Sequence, residues 1–156
     1  MSEVVNLFEV GLTKDDGDPP GYVASYLRVG PLVGASALGL SVYELVPGES
    51  ICPYHYEYPM EEWLVVLEGQ ATLRHPEGEE VLGPWDAVCF PPGPAGAHKV
   101  TNRGDGRVRV AMLSTTLKPN VSVYPDSDKI GVWSGDGEVE HLFRRGDAVE
   151  YFDGEL

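Results

Sequence analysis

The 156-residue chain has 25 acidic and 11 basic side chains, and its formal net charge of −14 argues against unaided binding to nucleic acid or to an acidic membrane surface. Hydrophobic residues make up 42% and charged residues 23%, a balance typical of one globular domain with its own core. The N-terminus lacks a basic start with an apolar stretch, no apolar run approaches the ~18 residues of a membrane span, and the two cysteines form no disulfide scaffold, so we expect a cytoplasmic protein.

Residues 1–35 are predicted to form an N-terminal arm. They contain the polar loop DDGDPPG at residues 15–21 and lead into the small-residue stretch GPLVGASALG. Such an arm is suited to lie across a sheet or across a partner subunit. The chain shows no internal repeat and no linker, so a single domain over residues 1–156 is expected.

Short apolar or alternating segments separated by turn residues fill the middle of the chain, from about residue 36 to residue 116. Strands at this regular spacing, with glycine, proline and aspartate between them, are typical of an all-β sandwich or barrel. The predicted strands cover residues 39–46, 61–69, 71–76, 79–83, 87–92, 97–102 and 107–115.

Residues 117–156 are predicted to form a C-terminal extension. It holds VSVYPDSDKIGVW and then an acidic tail that ends YFDGEL. We expect one or two short strands here and a short helix around residues 141–150. The acidic segment YPDSDK at residues 124–129 lacks the glycine and glutamate of an EF-hand loop, so it is interpreted as a fold or interface element.

The stretch PYHYEY at residues 53–58 carries the first candidate ligands. Its three tyrosines fall on one parity, while His55 and Glu57 fall on the other. Because successive side chains of a strand point to opposite faces, the imidazole and the carboxylate would share one face. The tyrosines would then pack under the arm or against a second subunit, and Trp63 on the next strand would extend an aromatic dimer surface.

Two further candidate ligands follow along the chain. Glu62 heads the face that it shares with Leu64 and Val66, and a lone carboxylate on an apolar face needs a partner such as a metal ion. His98 follows the stiff turn PPGPAG. Two imidazoles with one or two carboxylates suit a first-row divalent ion, namely Fe(II), Mn, Ni or Zn.

These residues resemble the two motifs of the cupins, which are Gly-x5-His-x-His-x3–4-Glu-x6-Gly and Gly-x5-Pro-x-Gly-x2-His-x3-Asn. The resemblance covers roughly residues 36–116 and implies a jelly-roll, double-stranded β-barrel, a metal site and a homodimer. The matching residues of the first motif are Gly48, His55, Glu57, Glu62 and Gly69, and those of the second are Pro91, Gly93, His98 and Asn102. The implied metal ligands are His55, Glu57, Glu62 and His98.

The sequence departs from the cupin pattern in ways that bear on the site. Gly48 lies one residue too far from His55, Trp85 stands where the second motif opens with glycine, and two extra residues precede His98. Glu57 replaces the second histidine of the first motif. Two ionised glutamates would neutralise a divalent ion and disfavour Cu(I), whereas a Glu57 that turns outward or binds a water would leave a two-histidine, one-carboxylate set.

The remaining candidates receive structural interpretations. Cys89 is interpreted as a core residue, and simple alternation places Cys52 on the face away from the ligands. Asn102 is interpreted as a hydrogen-bonding residue at a strand end rather than as a catalytic one.

The function expected from these features is metal-dependent chemistry on a small molecule, either oxygenation or isomerisation, with no general base identifiable in the sequence. The alternative is a non-catalytic module that binds or senses a small ligand. Because no helix-turn-helix segment precedes the barrel, the sensing alternative is less favoured, but it stays open. An empty storage barrel is a third interpretation, against which the intact ligand residues argue.

Overall fold

The computed structural model describes residues 3–14 and 17–155, and it is built almost wholly of antiparallel strands. Short 3-10 helices lie at Pro94–Gly96, Pro125–Ser127 and Arg145–Asp147. The strands are β1 Thr13–Lys14, β2 Ser25–Arg28, β3 Leu38–Leu45, β4 Tyr56–Tyr58, β5 Glu62–Glu68, β6 Ala71–His75, β7 Gly78–Leu82, β8 Ala87–Phe90, β9 Lys99–Thr101, β10 Val108–Thr115, β11 Asn120–Tyr124, β12 Lys129–Trp133 and β13 Glu140–Arg144. The all-β prediction is confirmed. None of the described helices is long and apolar enough to cross a membrane.

The strands form two walls. One is a six-stranded sheet in the order β1-β2-β3-β10-β5-β8, and the other consists of a four-stranded sheet, β13-β12-β11-β4, beside a three-stranded sheet, β7-β6-β9. An isolated antiparallel bridge between His55 and His98 joins the two smaller sheets. The second wall is therefore continuous only where these two histidines meet.

The main core lies between the walls. Alternation sends Leu64 and Val66 of β5 inward and leaves Trp63 on the outer face, as predicted from the sequence. From the opposite wall, Leu73 and Val100 complete the same buried cluster. Burial of these apolar side chains from both walls is the main source of stability for the barrel.

The N-terminal arm lies across the outer face of the six-stranded sheet. Its residues Val5, Leu7 and Leu12 pack on a second buried cluster that includes Val42. The guanidinium of Arg109, only 7% exposed, donates to the backbone carbonyls of Phe8 and Val10. One of the two predicted positions of the arm, across a sheet, is therefore the observed one.

The C-terminal extension differs from its prediction. The short helix expected around residues 141–150 is limited to the 3-10 helix Arg145–Asp147, because Glu140–Arg144 form β13, which pairs with β12 from Lys129↔Arg144 to Trp133↔Glu140. Residues 117–156 hold three strands rather than one or two. The open edge of β12 supplies hydrogen-bonding partners that a local helical pattern cannot reveal, and such tertiary pairing overrides weak helix propensity.

The loop after β9 depends on a single buried side chain. Asn102 is fully buried, and its amide nitrogen donates to the carbonyls of Leu45 and Gly106 at 2.9 and 2.7 Å. Its side-chain oxygen accepts a hydrogen bond from the Gly104 N–H at 3.0 Å. The structural interpretation of Asn102 is confirmed.

Replacing Asn102 with alanine should lower the free energy of unfolding by about 3 kcal/mol, because buried backbone groups would lose their partners. Urea denaturation followed by circular dichroism measures the change. The exposed neighbour Gln70 offers a control, and Gln70→Ala should change the stability by less than about 0.5 kcal/mol. Equal effects of the two substitutions would contradict the interpretation.

Candidate metal centre

The two histidines are positioned by the backbone that joins the smaller sheets. The His55 N–H donates to the His98 carbonyl at 3.1 Å, and the His98 N–H donates to the His55 carbonyl at 2.8 Å. This reciprocal pair places the imidazoles side by side, with their ring centroids 4.8 Å apart. The pairing brings together residues from the two separate sequence motifs.

Glu62 reaches the same point from the opposite wall. It opens β5, and its Oε2 lies 3.6 Å from Nε2 of His98 and 3.9 Å from Nε2 of His55. Ligand atoms of these three residues all lie within 4.8 Å of one another. A first-row ion bonds to imidazole and carboxylate ligands at about 2.0–2.2 Å, so these separations fit one ion between them.

Backbone carbonyls set the tautomer of both histidines. Nδ1 of His55 lies 3.0 Å from the Pro53 carbonyl oxygen, and Nδ1 of His98 lies 2.9 Å from the Gly96 carbonyl oxygen. Since a carbonyl can only accept, each Nδ1 carries the proton and donates it. Both Nε2 atoms therefore present a lone pair toward Glu62, which is the arrangement that metal-binding histidines adopt.

Burial makes all three groups uncharged at neutral pH. Desolvation, assisted by the charge of Glu57, raises the pKa of Glu62 to about 8. Desolvation, with a contribution from His55, lowers the pKa of His98 to about 4, and burial also lowers the pKa of His55. Within residues 3–14 and 17–155, no lysine or arginine forms an ion pair with either Glu62 or Glu57. The two imidazoles and the carboxyl group therefore form a donor set that suits a divalent ion.

Glu57 lies beside the three-residue group but outside it. Its Oε1 accepts hydrogen bonds from Nδ2 of Asn120 at 3.1 Å and from Oγ of Ser122 at 2.8 Å, so the carboxylate is held by β11. Its Oε2 is buried and has no hydrogen-bonding partner in the part of the chain that the structure describes. Ligation of a metal by Glu57 stays a prediction.

Two aromatic rings hold the imidazoles in place. Phe90 stacks on His98 with ring centroids 3.7 Å apart and an interplanar angle of 7°, and Tyr124 stacks on His55 at 5.8 Å and 21°. Neither ring was singled out from the sequence as part of the site. Phe90 lies at the site because it pairs with Glu62 across β5 and β8. Tyr124 is 69 residues away from His55 in sequence, and only the tertiary fold brings the two rings together.

The YPDSDK segment braces this side of the site. Asp126 accepts two hydrogen bonds from the guanidinium of Arg74, at 2.6 and 2.9 Å. That guanidinium lies 3.9 Å from the centroid of the Tyr54 ring, directly over it. Tyr54 is 8% exposed, so the segment that starts with Tyr124 covers the loop that carries His55. This agrees with its interpretation as a fold element.

Two predictions from simple alternation, for Cys52 and Tyr54, are wrong, and so is the interpretation of Cys89 as a core residue. Sγ of Cys52 lies 3.5 Å from Nδ1 of His55, on the ligand side rather than away from it, and burial raises the pKa of this thiol to about 12. Tyr54 is buried under Arg74 instead of contributing to an exposed aromatic surface. Residues 51–54 are bends and β4 begins only at Tyr56, so parity does not apply there. Cys89 pairs with Trp63 on the outer face and is not a core residue.

A cavity of about 550 Å³ is lined by the residues that precede His55 in the chain, although His55 itself does not line it. Cys52, Pro53 and Tyr54 form one side of it, Tyr22 of the arm another, and Lys129 a third. It meets the Nδ1 side of the imidazole, because the Cys52 thiol and the Pro53 carbonyl are the groups that contact Nδ1.

Comparison with known proteins agrees with this geometry. Residues 41–115 match the family model described as the cupin domain. A protein from Acidithiobacillus ferrooxidans named "putative sugar phosphate isomerase" superposes with a TM-score of 0.82 and 26% identity, covering 92% of this chain and 91% of that one. The polyketide cyclase RemF from Streptomyces resistomycificus superposes with a TM-score of 0.62 and 24% identity, over 76% of this chain and 82% of that one.

A curated relative gives a partial match. The tetracenomycin polyketide synthase protein TcmJ from Streptomyces glaucescens is 32% identical over 87 residues, which are 56% of each chain. The matched region thus spans about half the length of that relative. The chain belongs to the cupin superfamily, and the jelly-roll prediction is confirmed.

Metal binding should depend on pH through Glu62. With a pKa of about 8, the Glu62 carboxyl is mostly protonated at pH 7, so binding a divalent ion must displace roughly one proton. The histidines lose no proton in this range, because their pKa values are lowered. The affinity for Mn²⁺ should therefore rise roughly tenfold per pH unit from pH 6 to 8 and level off above pH 8.

Titration calorimetry in buffers of different ionisation enthalpy measures both the affinity and the protons released. Glu62→Gln should bind Mn²⁺ weakly and without this pH dependence. An affinity of the wild-type protein that does not change between pH 6 and 8 would contradict the assignment of the proton to Glu62.

Proposed function

We propose that this cupin is a metal-dependent enzyme that isomerises a small hydroxy-carbonyl compound. One divalent ion, Fe, Mn, Ni or Zn, would be held by His55, Glu62 and His98. The observation that carries the proposal is the convergence of two imidazole lone pairs on a buried carboxyl group that has no lysine or arginine partner among the described residues. When bound, the ion supplies a Lewis acid that polarises a carbonyl oxygen.

The protein's own residues supply orientation and a route for a proton. Phe90 and Tyr124 keep the imidazoles fixed and limit the access of water to them. Isomerisation of a hydroxy-carbonyl compound removes a proton from the hydroxyl-bearing carbon next to the carbonyl group. A proton is then returned to the carbon that was the carbonyl carbon. Oε2 of Glu57 is suited to this transfer, because Asn120 and Ser122 hold the other oxygen and leave Oε2 without a partner.

The same oxygen is also the one through which Glu57 would become a fourth ligand, as its position in the cupin motif predicts. The two roles differ in one measurable respect. A ligand stabilises bound metal, whereas a proton-transfer group does not. The metal content of a Glu57 variant therefore separates them.

Isomerisation is favoured over oxygenation by the presence of a second carboxylate beside the donor set. The 26% identical structure that bears the name of a sugar phosphate isomerase supports the same chemistry. The non-catalytic alternative is a cupin module that binds a small ligand through the same metal and lacks turnover.

A homodimer and a cytoplasmic location belong to the proposal as well. Trp63 and Tyr58 are 43% and 45% exposed, although each lies on a strand that ends at the site. Exposed aromatic residues of this kind are enriched at protein interfaces. Sedimentation velocity of the wild-type protein and of Trp63→Ser measures the association directly.

The metal content of protein purified without a histidine tag tests the proposal. We expect about one divalent ion per chain, reduced at least tenfold in His98→Ala, because the site would lose one of its three donors. The adjacent Glu61 is exposed just before β5, where its carboxylate accepts a hydrogen bond from the Trp63 indole, and it offers a matched control. Glu61→Gln should retain the metal in full.

Turnover is measured as exchange of carbon-bound hydrogen in D2O, with a panel of hydroxy-carbonyl compounds. Exchange should require the metal and fall about 100-fold or more in Glu57→Gln, with the metal retained. Loss of metal in Glu57→Gln would make Glu57 a ligand instead. Metal without exchange would favour the binding module, and a wild-type protein that binds none of Fe(II), Mn, Ni and Zn would refute the proposal.

A further inference from the structure

The register of the six-stranded sheet places Arg28 on the same inward face as Glu62. Glu62 lies opposite Ser114 of β10, and Arg28 lies opposite Ser41 of β3, where Ser41 pairs in turn with Met112. Along β2 the neighbouring residue Leu27 packs in the outer cluster under the arm. Because side chains alternate along a strand, Arg28 points into the barrel side of the sheet.

Tyr43 lies between Arg28 and the metal centre. Its ring stacks on that of Tyr26, two residues before Arg28, with centroids 5.9 Å apart. The pKa of the Tyr43 hydroxyl is raised, mainly by burial; Cys52 and Glu62 in their ionised forms raise it further, and the positive charge of Arg28 lowers it. The Tyr43 hydroxyl is therefore near both Arg28 and Glu62.

Arg28 is the arginine without a partner. Within residues 3–14 and 17–155, its guanidinium forms no hydrogen bond and no ion pair, although the chain carries 25 acidic side chains. Every other arginine has a polar partner in the structure; these are Arg74, Arg103, Arg107, Arg109, Arg144 and Arg145. Arg28 is exposed to solvent, so its unpaired guanidinium is available to a ligand.

We propose that Arg28 binds an anionic group of the substrate, a phosphate or a carboxylate, while the carbonyl end of the same molecule lies at His55, Glu62 and His98. The planar guanidinium donates two parallel hydrogen bonds to such a group. Three strand intervals separate β2 from β5, roughly 14 Å across the sheet at about 4.8 Å per interval. Arg28 lies in the register row of Leu64, so a further offset of two residues, about 7 Å along the strand, separates it from Glu62, and the curvature of the barrel shortens the direct path. This assignment rests on the proposed function and narrows its substrate to an anionic hydroxy-carbonyl compound.

A second basic cavity, of about 390 Å³, is a poorer candidate for the anion. Its cations are Arg74, Lys99 and Arg103. Arg74 is held by Asp126 and Arg103 by Glu79, while the Lys99 amine donates to the Tyr22 hydroxyl at 3.2 Å. An anion would have to displace the carboxylates that hold Arg74 and Arg103, and none of the three metal-centre residues lines that cavity.

A matched pair of probes tests the role of Arg28, namely dihydroxyacetone phosphate and dihydroxyacetone. Titration calorimetry with the Mn²⁺-loaded protein should show that the phosphate ester binds at least tenfold more tightly than the neutral compound. Arg28→Gln should abolish this ratio and leave the affinity for dihydroxyacetone unchanged, whereas Arg28→Lys should retain part of it. Arg103→Gln, in the other basic cavity, is the control and should leave the ratio intact.

A direct readout does not require the metal or turnover. In the metal-free protein, inorganic phosphate should shift the NMR signal of the Arg28 Nε–H group, which is assigned by its loss in Arg28→Gln. An equal affinity of the wild-type protein for the two probes, or a ratio unchanged in Arg28→Gln, would overturn the assignment. The assignment would also be overturned if the protein bound neither probe and phosphate did not shift the Arg28 signal.

The outcomes separate this assignment from the proposed function. In one outcome the affinity ratio of the two probes depends on Arg28, or phosphate shifts the Arg28 signal, while the protein exchanges no carbon-bound hydrogen. That result supports the anion site and contradicts the proposed enzymatic function. Metal-dependent exchange that is indifferent to Arg28→Gln supports the enzyme and contradicts the anion site.

Discussion

The backbone bridge between His55 and His98 is the constraint on which the rest of the structure depends. It joins the three-stranded and four-stranded sheets into one wall, and it is the point at which both imidazoles are placed. Because the two N–H···O bonds are reciprocal, neither histidine can move along its own strand without breaking the bond of the other. The geometry of the candidate site and the closure of the barrel are therefore the same feature.

The electrostatics of the site follow from this placement. Three ionisable groups meet in the interior, and the structure leaves all three uncharged rather than supplying a counter-ion. Burial of a carboxyl group without a strong partner is unfavourable, so the apolar core around Leu64 and Val66 must offset the cost of keeping Glu62 there. The donor atoms of this preformed site gain a favourable charged partner only when a cation binds. Metal binding would therefore stabilise the folded protein.

Regular strands allowed much of the fold to be predicted, and the structure brings three of the four candidate ligands together, His55, Glu62 and His98, while ligation itself stays a prediction. Parity along β5 is correct from Glu62 to Val66, because this strand pairs with neighbours on both sides. It fails at Cys52 and Tyr54, since the chain bends there and enters a strand only at Tyr56. The contacts of Tyr124 with His55 and of Asp126 with Arg74 join distant segments, and no local pattern in YPDSDK specifies them. For the same reason, β13 could not be predicted from its own residues, because it forms by pairing with the open edge of β12.

The C-terminal extension distinguishes this site from that of a minimal cupin domain. The family match ends at residue 115, so it includes His55, Glu62 and His98 but none of the residues that act on Glu57. Asn120 and Ser122 hold that carboxylate, and the indole N–H of Trp133 donates to the Ser122 hydroxyl at 3.1 Å. A histidine at position 57 could not accept two hydrogen bonds on one atom and present a second bare oxygen. The glutamate that stands in place of the motif's histidine and the strands that follow the barrel therefore form one hydrogen-bonded unit beside the candidate site, and the proposed proton transfer depends on that unit rather than on the three residues within the family match.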